Sequence, residues 1–314
     1  MRTPLALLCF LVASSAPGCA SRKPPPGPEL SPTAWSVDRD ALPGGSLRML
    51  HVADTGAPGN LVVQGAPSRH QTLPVYVYVF EHPTQGVVLI DLGFGKRTAT
   101  DPADYPGKRM TNLLGLEMEE GKAAVDRLPE AGIAPEDVAH VLVTHMHPDH
   151  VGGLEDFPGA TLHIAADEWG SRLDKSALGT PDPTPFEGHT NVTEFTWTEA
   201  PLGPFARHVD LFGDGSLIAL STPGHTAGHT SYLVNLVGAS YLIVGDTAWT
   251  DPHWQAPAMK SPLVRGLLEH DWEANWDSQW RVHRFAWDNI GLVVLSGHDA
   301  KNLERMPDWP FPVK

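Results

Sequence analysis

Thr144-His145-Met146-His147-Pro148-Asp149-His150 places three imidazoles and a carboxylate within six residues. Each of these groups costs free energy if it is buried unpaired, so packing alone is a poor account of the cluster. Imidazole nitrogen with carboxylate oxygen is the ligand set favoured by zinc and its first-row neighbours. His145 and His147 stand two apart, so in extended chain they point the same way and can share one ion. Asp149 and His150 lie beyond the turn and fall more naturally to a second.

Strands must deliver these groups. The apolar run 138–143 reads as a buried strand ending at the cluster. Gly152-Gly153 then let the backbone turn sharply. Active sites of α/β proteins favour that position. The same event recurs three times: 216–220 leads to Pro223-Gly224-His225-Thr226, 241–245 to Asp246, and 292–297 to His298. Elsewhere, 47–52 and 61–63 read as early strands, and 75–81 with 87–91 as a hairpin. The arm 75–80 is apolar on both faces and therefore central. Helices are expected at 118–128, 166–173 and 271–287, a short strand at 162–164, and a proline-rich loop at 179–188. Trp272, Trp276 and Trp280 repeat every four residues, a stripe that reads as core packing.

Taken in order, these segments resemble the metallo-β-lactamase superfamily. The resemblance rests on the His-x-His-x-Asp-His run, the Pro-Gly-His-Thr turn, the strand-ending Asp246, the late Gly297-His298 and the early Asp91-Leu92-Gly93, and covers roughly residues 46–300. It implies an α+β fold, a four-layer αββα sandwich with a dinuclear metal site on one edge. By the resemblance, His145, His147 and His225 hold one divalent ion, Asp149, His150 and His298 hold a second, and Asp246 bridges them. Asp149 and Asp246 are then the catalytic carboxylates, with Asp91 supporting a ligand from behind. His229, four residues after His225, reads as a residue lying behind the ligands or at the surface. A hydroxide shared between the ions would be the nucleophile. Zinc is the first expectation, with iron, manganese and cobalt as alternatives.

β-Lactamases of this superfamily commonly carry cysteine where Asp246 stands, which argues against penicillins. Residues 73–80 and 223–231 look like the N-acyl homoserine lactonase branch, and so imply quorum-quenching lactone hydrolysis. A glyoxalase II-like thioesterase, another ester or phosphodiester hydrolase, and a non-catalytic metal-binding protein are the alternatives. The lactonase pattern has tyrosine three residues after the bridging aspartate; here that residue is Trp249. Phe94, Trp249, His253 and Trp254 are expected to wall an apolar substrate pocket. Lys260, Arg265 and Lys301 form no recognisable clamp for a substrate carboxylate.

Residues 1–18 read as a signal peptide, Cys19 as a lipidation site, 19–33 as a proline-rich tether, and 34–314 as one hydrolase domain. Export from a bacterial cytoplasm follows, to a lipid-anchored place in the periplasm or outer membrane, or to secretion. Cys9 and Cys19 are the two cysteines, so the domain has neither disulfide nor thiolate ligand. The net charge of -15 argues for a small-molecule substrate and against nucleic acid. Membrane contact is expected only through the anchor.

Overall fold

Alternation along one strand sets out the layers. The computed structural model describes residues 25–30, 35–171, 184–186 and 188–309. Within it, strand β2 (His70–His82) is flanked by β1 (Ser46–Pro58) and β3 (Gly86–Ile90). Its side chains point to opposite faces in turn. Val75, Val77 and Val79 join Leu50, Val52, Leu89, Val141 and Leu162, with Ala124, Leu128, Val151 and Leu154 from helical segments above them. Tyr76, Tyr78 and Phe80 face the other way and meet Leu217, Ala219, Tyr232, Val234, Ile243 and Leu295 of a second sheet. That sheet buries Ile218, Leu220, Leu233 and Leu242 against Val282 and Phe285 of the long helix Trp272–Asp288. Helix, sheet, sheet and helix are therefore stacked in four layers, as expected.

The first sheet continues through β4 (Val138–Leu142), β5 (Thr161–Ala165) and β6 (Val192–Phe195), in spatial order β1 to β6. Its β1–β3 pairs are antiparallel, and β3 to β6 run parallel. The second sheet contains β7 (His208–Asp210), β8 (Leu217–Ser221), β9 (Thr230–Asn235), β10 (Ser240–Ile243) and β11 (Val293–Leu295). Their order is β11-β10-β9-β8-β7, and only the β10–β11 pair is parallel.

Three local expectations change. Residues 61–63 are not a strand, because Gly59–Val62 forms one helical turn at the crossing from β1 to β2. Its apolar residues pack against Trp249 and Val264 instead of joining a sheet. The helix expected over 118–128 is cut to Ala124–Arg127, followed by a 3-10 turn, Leu128–Ala131. Gly121, at φ +81, takes a backbone conformation no α-helix contains, so the helical run begins only after it. Of the tryptophan stripe, Trp276 is buried, Trp272 is exposed beneath Arg265, and Trp280 lies half-buried beside Gly27. Residues 25–30 thus lie along the long helix, where Pro28 and Leu30 line a groove with Trp280, His283 and Trp287. Cys19 and the expected signal peptide lie outside the described residues. Among the described residues no helix is long and apolar enough to cross a membrane.

Candidate metal centre

Four strands end on one edge of the sandwich. The loop after β4 carries His145 and His147, and the helical turn Pro148–Val151 that follows carries Asp149 and His150. The turn after β8 carries His225, a 3-10 turn after β10 carries Asp246, and the loop after β11 carries His298. Two glycines permit this convergence. Gly224 has φ +133, and a Cβ there would lie 2.0 Å from Asn275 N, so only glycine lets the His225 turn sit on the start of the long helix. At Gly297 a Cβ would come within 2.9 Å of Asp246 Oδ1. Backbone bonds from Gly297 N to Ala248 O and His298 N to Trp249 O hold the last two loops in register.

The side chains assemble as two groups: His145, His147, His225 and Asp246, and Asp149, His150 and His298. In the first, His147 Nδ1 lies 3.0 Å from His145 Nε2 and 2.9 Å from His225 Nε2. Asp246 Oδ2 lies 3.1 Å from His225 Nε2 and 3.8 Å from His145 Nε2. Tetrahedral ligands about 2.1 Å from a zinc ion stand ~3.4 Å apart, so these donors have the spacing such an ion needs. In the second group His298 Nε2 and His150 Nε2 lie 3.5 and 3.6 Å from Asp149 Oδ2. Asp246 Oδ1 faces this group, 2.9 Å from His298 Nε2 and 3.4 Å from His150 Nε2. One carboxylate therefore addresses both groups, one oxygen to each.

Groups behind the cluster fix the tautomers. His298 Nδ1 donates to Pro74 O at 2.9 Å, and His150 Nδ1 to Asp91 Oδ2 at 2.8 Å. Thr144 Oγ1 donates to Asp91 Oδ2 and can then only accept from His145 Nδ1, 3.0 Å away. Each of these rings thereby turns Nε2 toward the cluster and leaves that nitrogen as the one a metal would take. His150 Nε2 and Asp246 Oδ1 are buried with no hydrogen-bond partner among the described residues. Buried acceptors left unpaired fit a bound cation.

Charge follows the same division. Burial holds His145 well below its usual value and His147 down to about 3, so both stay neutral. Burial also opposes charge on His150 and His298. There the nearby carboxylates outweigh it, Asp91 foremost at His150 and Asp246 at His298, and both are raised. The second group therefore favours positive charge strongly. Asp246 stays well below the carboxylate range: burial opposes its charge, but His298, His225 and His150 outweigh that cost.

Residues 70–295 match the family model described as the metallo-beta-lactamase superfamily. The chain belongs to that superfamily. It is 31% identical to the N-acyl homoserine lactonase AttM of Agrobacterium fabrum over 76% of this chain and 87% of that protein. Its fold resembles a solved N-acyl homoserine lactone hydrolase holding N-hexanoyl-L-homoserine at its catalytic metal centre, with TM-score 0.67, 19% identity, and coverage of 85% and 98% of the two chains. It also resembles AidC, a dizinc quorum-quenching lactonase, with TM-score 0.58, 15% identity, and coverage of 82% and 89%.

On this superfamily scaffold, Asp91 and His229 sit behind the cluster. Asp91 is the one non-glycine with positive φ among the described residues, at 54°. Its carboxylate accepts from Thr144 N, Thr144 Oγ1 and His150 Nδ1. His229 Nε2 accepts from Asp246 N at 3.0 Å, which places its proton on Nδ1, beside Thr222 Oγ1 and Thr247 Oγ1.

The expected apolar wall forms differently. Phe94 is fully buried among first-layer core residues. His253 is fully buried too, with Nε2 bonded to Val62 O and Nδ1 to Thr250. Neither has surface with which to meet an acyl chain. Trp254 packs under the long helix and donates to Ser296 Oγ. Trp249 alone of the four reaches the cluster, and its Nε1 is spent on Asp246 Oδ2.

Three charged residues near the cluster carried no sequence signal. Glu168 is 1% exposed, and its carboxylate accepts from Met146 N, Thr226 Oγ1 and Gly228 N. It clasps the loop of His145 and His147 to the turn of His225. Lys260 and Glu269 form a buried pair beside His225 and Asp246. Burial opposes the charge of Glu269, yet Lys260 and His225 bring it down to about 2.

Proposed function

We propose that this chain is a dinuclear metal-dependent hydrolase that opens lactones of the N-acyl homoserine type. One observation carries the dinuclear part: Asp246 directs Oδ2 to His225 and His145 and Oδ1 to the pair His150 and His298. Two divalent cations held there, zinc being the first candidate, would supply Lewis acidity and a water-derived hydroxide nucleophile near neutral pH. His145, His147 and His225 would hold one, Asp149, His150 and His298 the other, with Asp246 between them. Asp91 and His229 keep these ligands aimed. The lactone assignment is supported by the 31% identity to AttM.

The fate of Lys260 speaks against a thioesterase for carboxylate-rich substrates. Its Nζ is committed to Asp246 O, Glu269 Oε1 and the Trp249 ring, and is closed to substrate. Incubating the full-length zinc-loaded chain with N-hexanoyl homoserine lactone, and following proton release, tests the reading. Ring opening that disappears in Asp246→Ala is expected. Turnover of a glutathione thioester without lactone opening would overturn it.

The same reading includes export and acylation of Cys19, supported by the sequence of residues 1–19 alone. Radiolabelled palmitate should enter the wild-type chain and not Cys19→Ser.

A further inference from the structure

Lys260 and Glu269 flank the helix Pro262–Leu268, and their side chains are each 1% exposed. Lysine and glutamate are rarely buried so fully. A buried ion pair seldom stabilises a fold more than apolar residues of the same volume, so stability alone does not explain it. Its contacts point elsewhere. Lys260 Nζ donates to Glu269 Oε1 at 2.5 Å and to Asp246 O at 2.8 Å, and lies 4.4 Å above the Trp249 ring. Glu269 Oε1 lies 3.6 Å from His225 Nδ1. His225 Nδ1 and Glu269 Oε2 are both buried without a hydrogen-bond partner among the described residues. The unpaired His225 Nδ1 thus lies slightly beyond bonding distance of Oε1, the oxygen Lys260 holds, and Oε2 of the same carboxylate has acceptor capacity to spare.

The backbone holds them there. His270 N donates to His225 O at 3.0 Å, and Asp271 N to Gly224 O at 2.8 Å. The residues after Glu269 are therefore paired with the turn that carries His225. On the other side, Gln64 N donates to Met259 O and Ser261 N to Leu61 O, which fixes Lys260.

We infer that the Lys260–Glu269 pair is a positioning device for the first metal group. Glu269 accepts the Nδ1 proton of His225, so that Nε2 presents its lone pair to the ion. Lys260 neutralises Glu269 and grips the main chain of Asp246, tying both ligands to one ammonium. Carboxylates behind ligating histidines raise ligand basicity, and their loss typically costs ~10–100-fold in metal affinity. The inference rests on the metal reading above and says nothing about substrate.

The experiment is a Zn(II) titration of the full chain against a chromophoric chelator, with thermal unfolding run in parallel. Wild type should show two tight steps. Glu269→Gln should weaken by ~10–100-fold the one step that His225→Ala abolishes, and leave the other unchanged. A folded Glu269→Gln chain with both steps as in wild type would overturn the inference. If Glu269→Gln leaves Lys260 unpaired and unfolds the chain, the double variant Lys260→Met/Glu269→Gln removes both charges. Recovered folding with the first step still weak supports the inference; recovery of both overturns it. Two tight wild-type steps without lactone opening would remove the substrate assignment and leave this test intact.

Discussion

The indole Nε1 of Trp249 donates to Asp246 Oδ2 at 2.6 Å. A carboxylate oxygen has lone pairs for both an indole and an ion, so this bond aims Asp246 without withdrawing it from metal. Trp249 is therefore a positioning group for the shared carboxylate more than a wall of the substrate pocket. Trp249→Phe keeps an aromatic face for Lys260 and deletes the donor. Hydrogen bonds to charged groups contribute about 1.5–3 kcal/mol, so kcat/KM for lactone should fall ~10–100-fold. Steady-state kinetics on the zinc-loaded variant would show it; an unchanged kcat/KM would reject this role.

Asp91 adopts a left-handed conformation that costs a non-glycine residue roughly 1 kcal/mol. Three donors converge on its carboxylate in return. Asparagine tolerates the same backbone but offers a single acceptor oxygen. Asp91→Asn should lose about 1–3 kcal/mol of unfolding free energy. It should also weaken the metal step that depends on His150, read by chelator competition. Loss of neither would show that the carboxylate is dispensable.

Glu168 joins two loops far apart in sequence. Glu168→Ala leaves Met146 N, Gly228 N and Thr226 Oγ1 without their acceptor. Each buried unpaired group costs about 1–3 kcal/mol, so urea unfolding should show a loss of about 3 kcal/mol or more. Glu168→Gln retains one acceptor and should fall between. Equal stability of alanine and wild type would contradict the clasp.

Asp156 gives a pH test remote from the metals. Burial lifts its carboxyl from near 3.8 to about 6, against the opposing bond from Lys96 N. Between those values the folded chain binds more protons than the unfolded one, so stability should fall as pH rises through that window, by up to about 3 kcal/mol. Asp156→Asn still offers an acceptor to Lys96 N and should lose less between pH 4 and 6.5. Parallel urea midpoints for the two chains would fail this expectation.

Much of the site was legible because ligand chemistry leaves a local mark: polar groups stand where apolar strands stop. His145 to His150, His225, Asp246 and His298 each sit at such a junction. The supporting charges leave none. Glu168 opens a short helix like any acidic residue in a first turn, and only the fold brings it under Met146 and Gly228. Lys260 reads as an ordinary surface cation until Glu269 and Asp246 close around it. Phe94 and His253 follow site residues closely in sequence, yet the turn buries them. Apolar composition at 61–63 could not separate strand from helical turn, since both bury the same side chains.

Asp246 draws on both halves of the chain. The first donors arrive at residue 145 and the last at 298, more than 150 positions later. A ribosome making this protein therefore releases the imidazole-rich loop long before its partners exist, and the half-made chain can at most hold an ion loosely. The second group is incomplete until the last strand has delivered His298. On the dinuclear proposal, a chain that retained two ions would have brought its first sheet and its last strand together, so ion content would report on assembly.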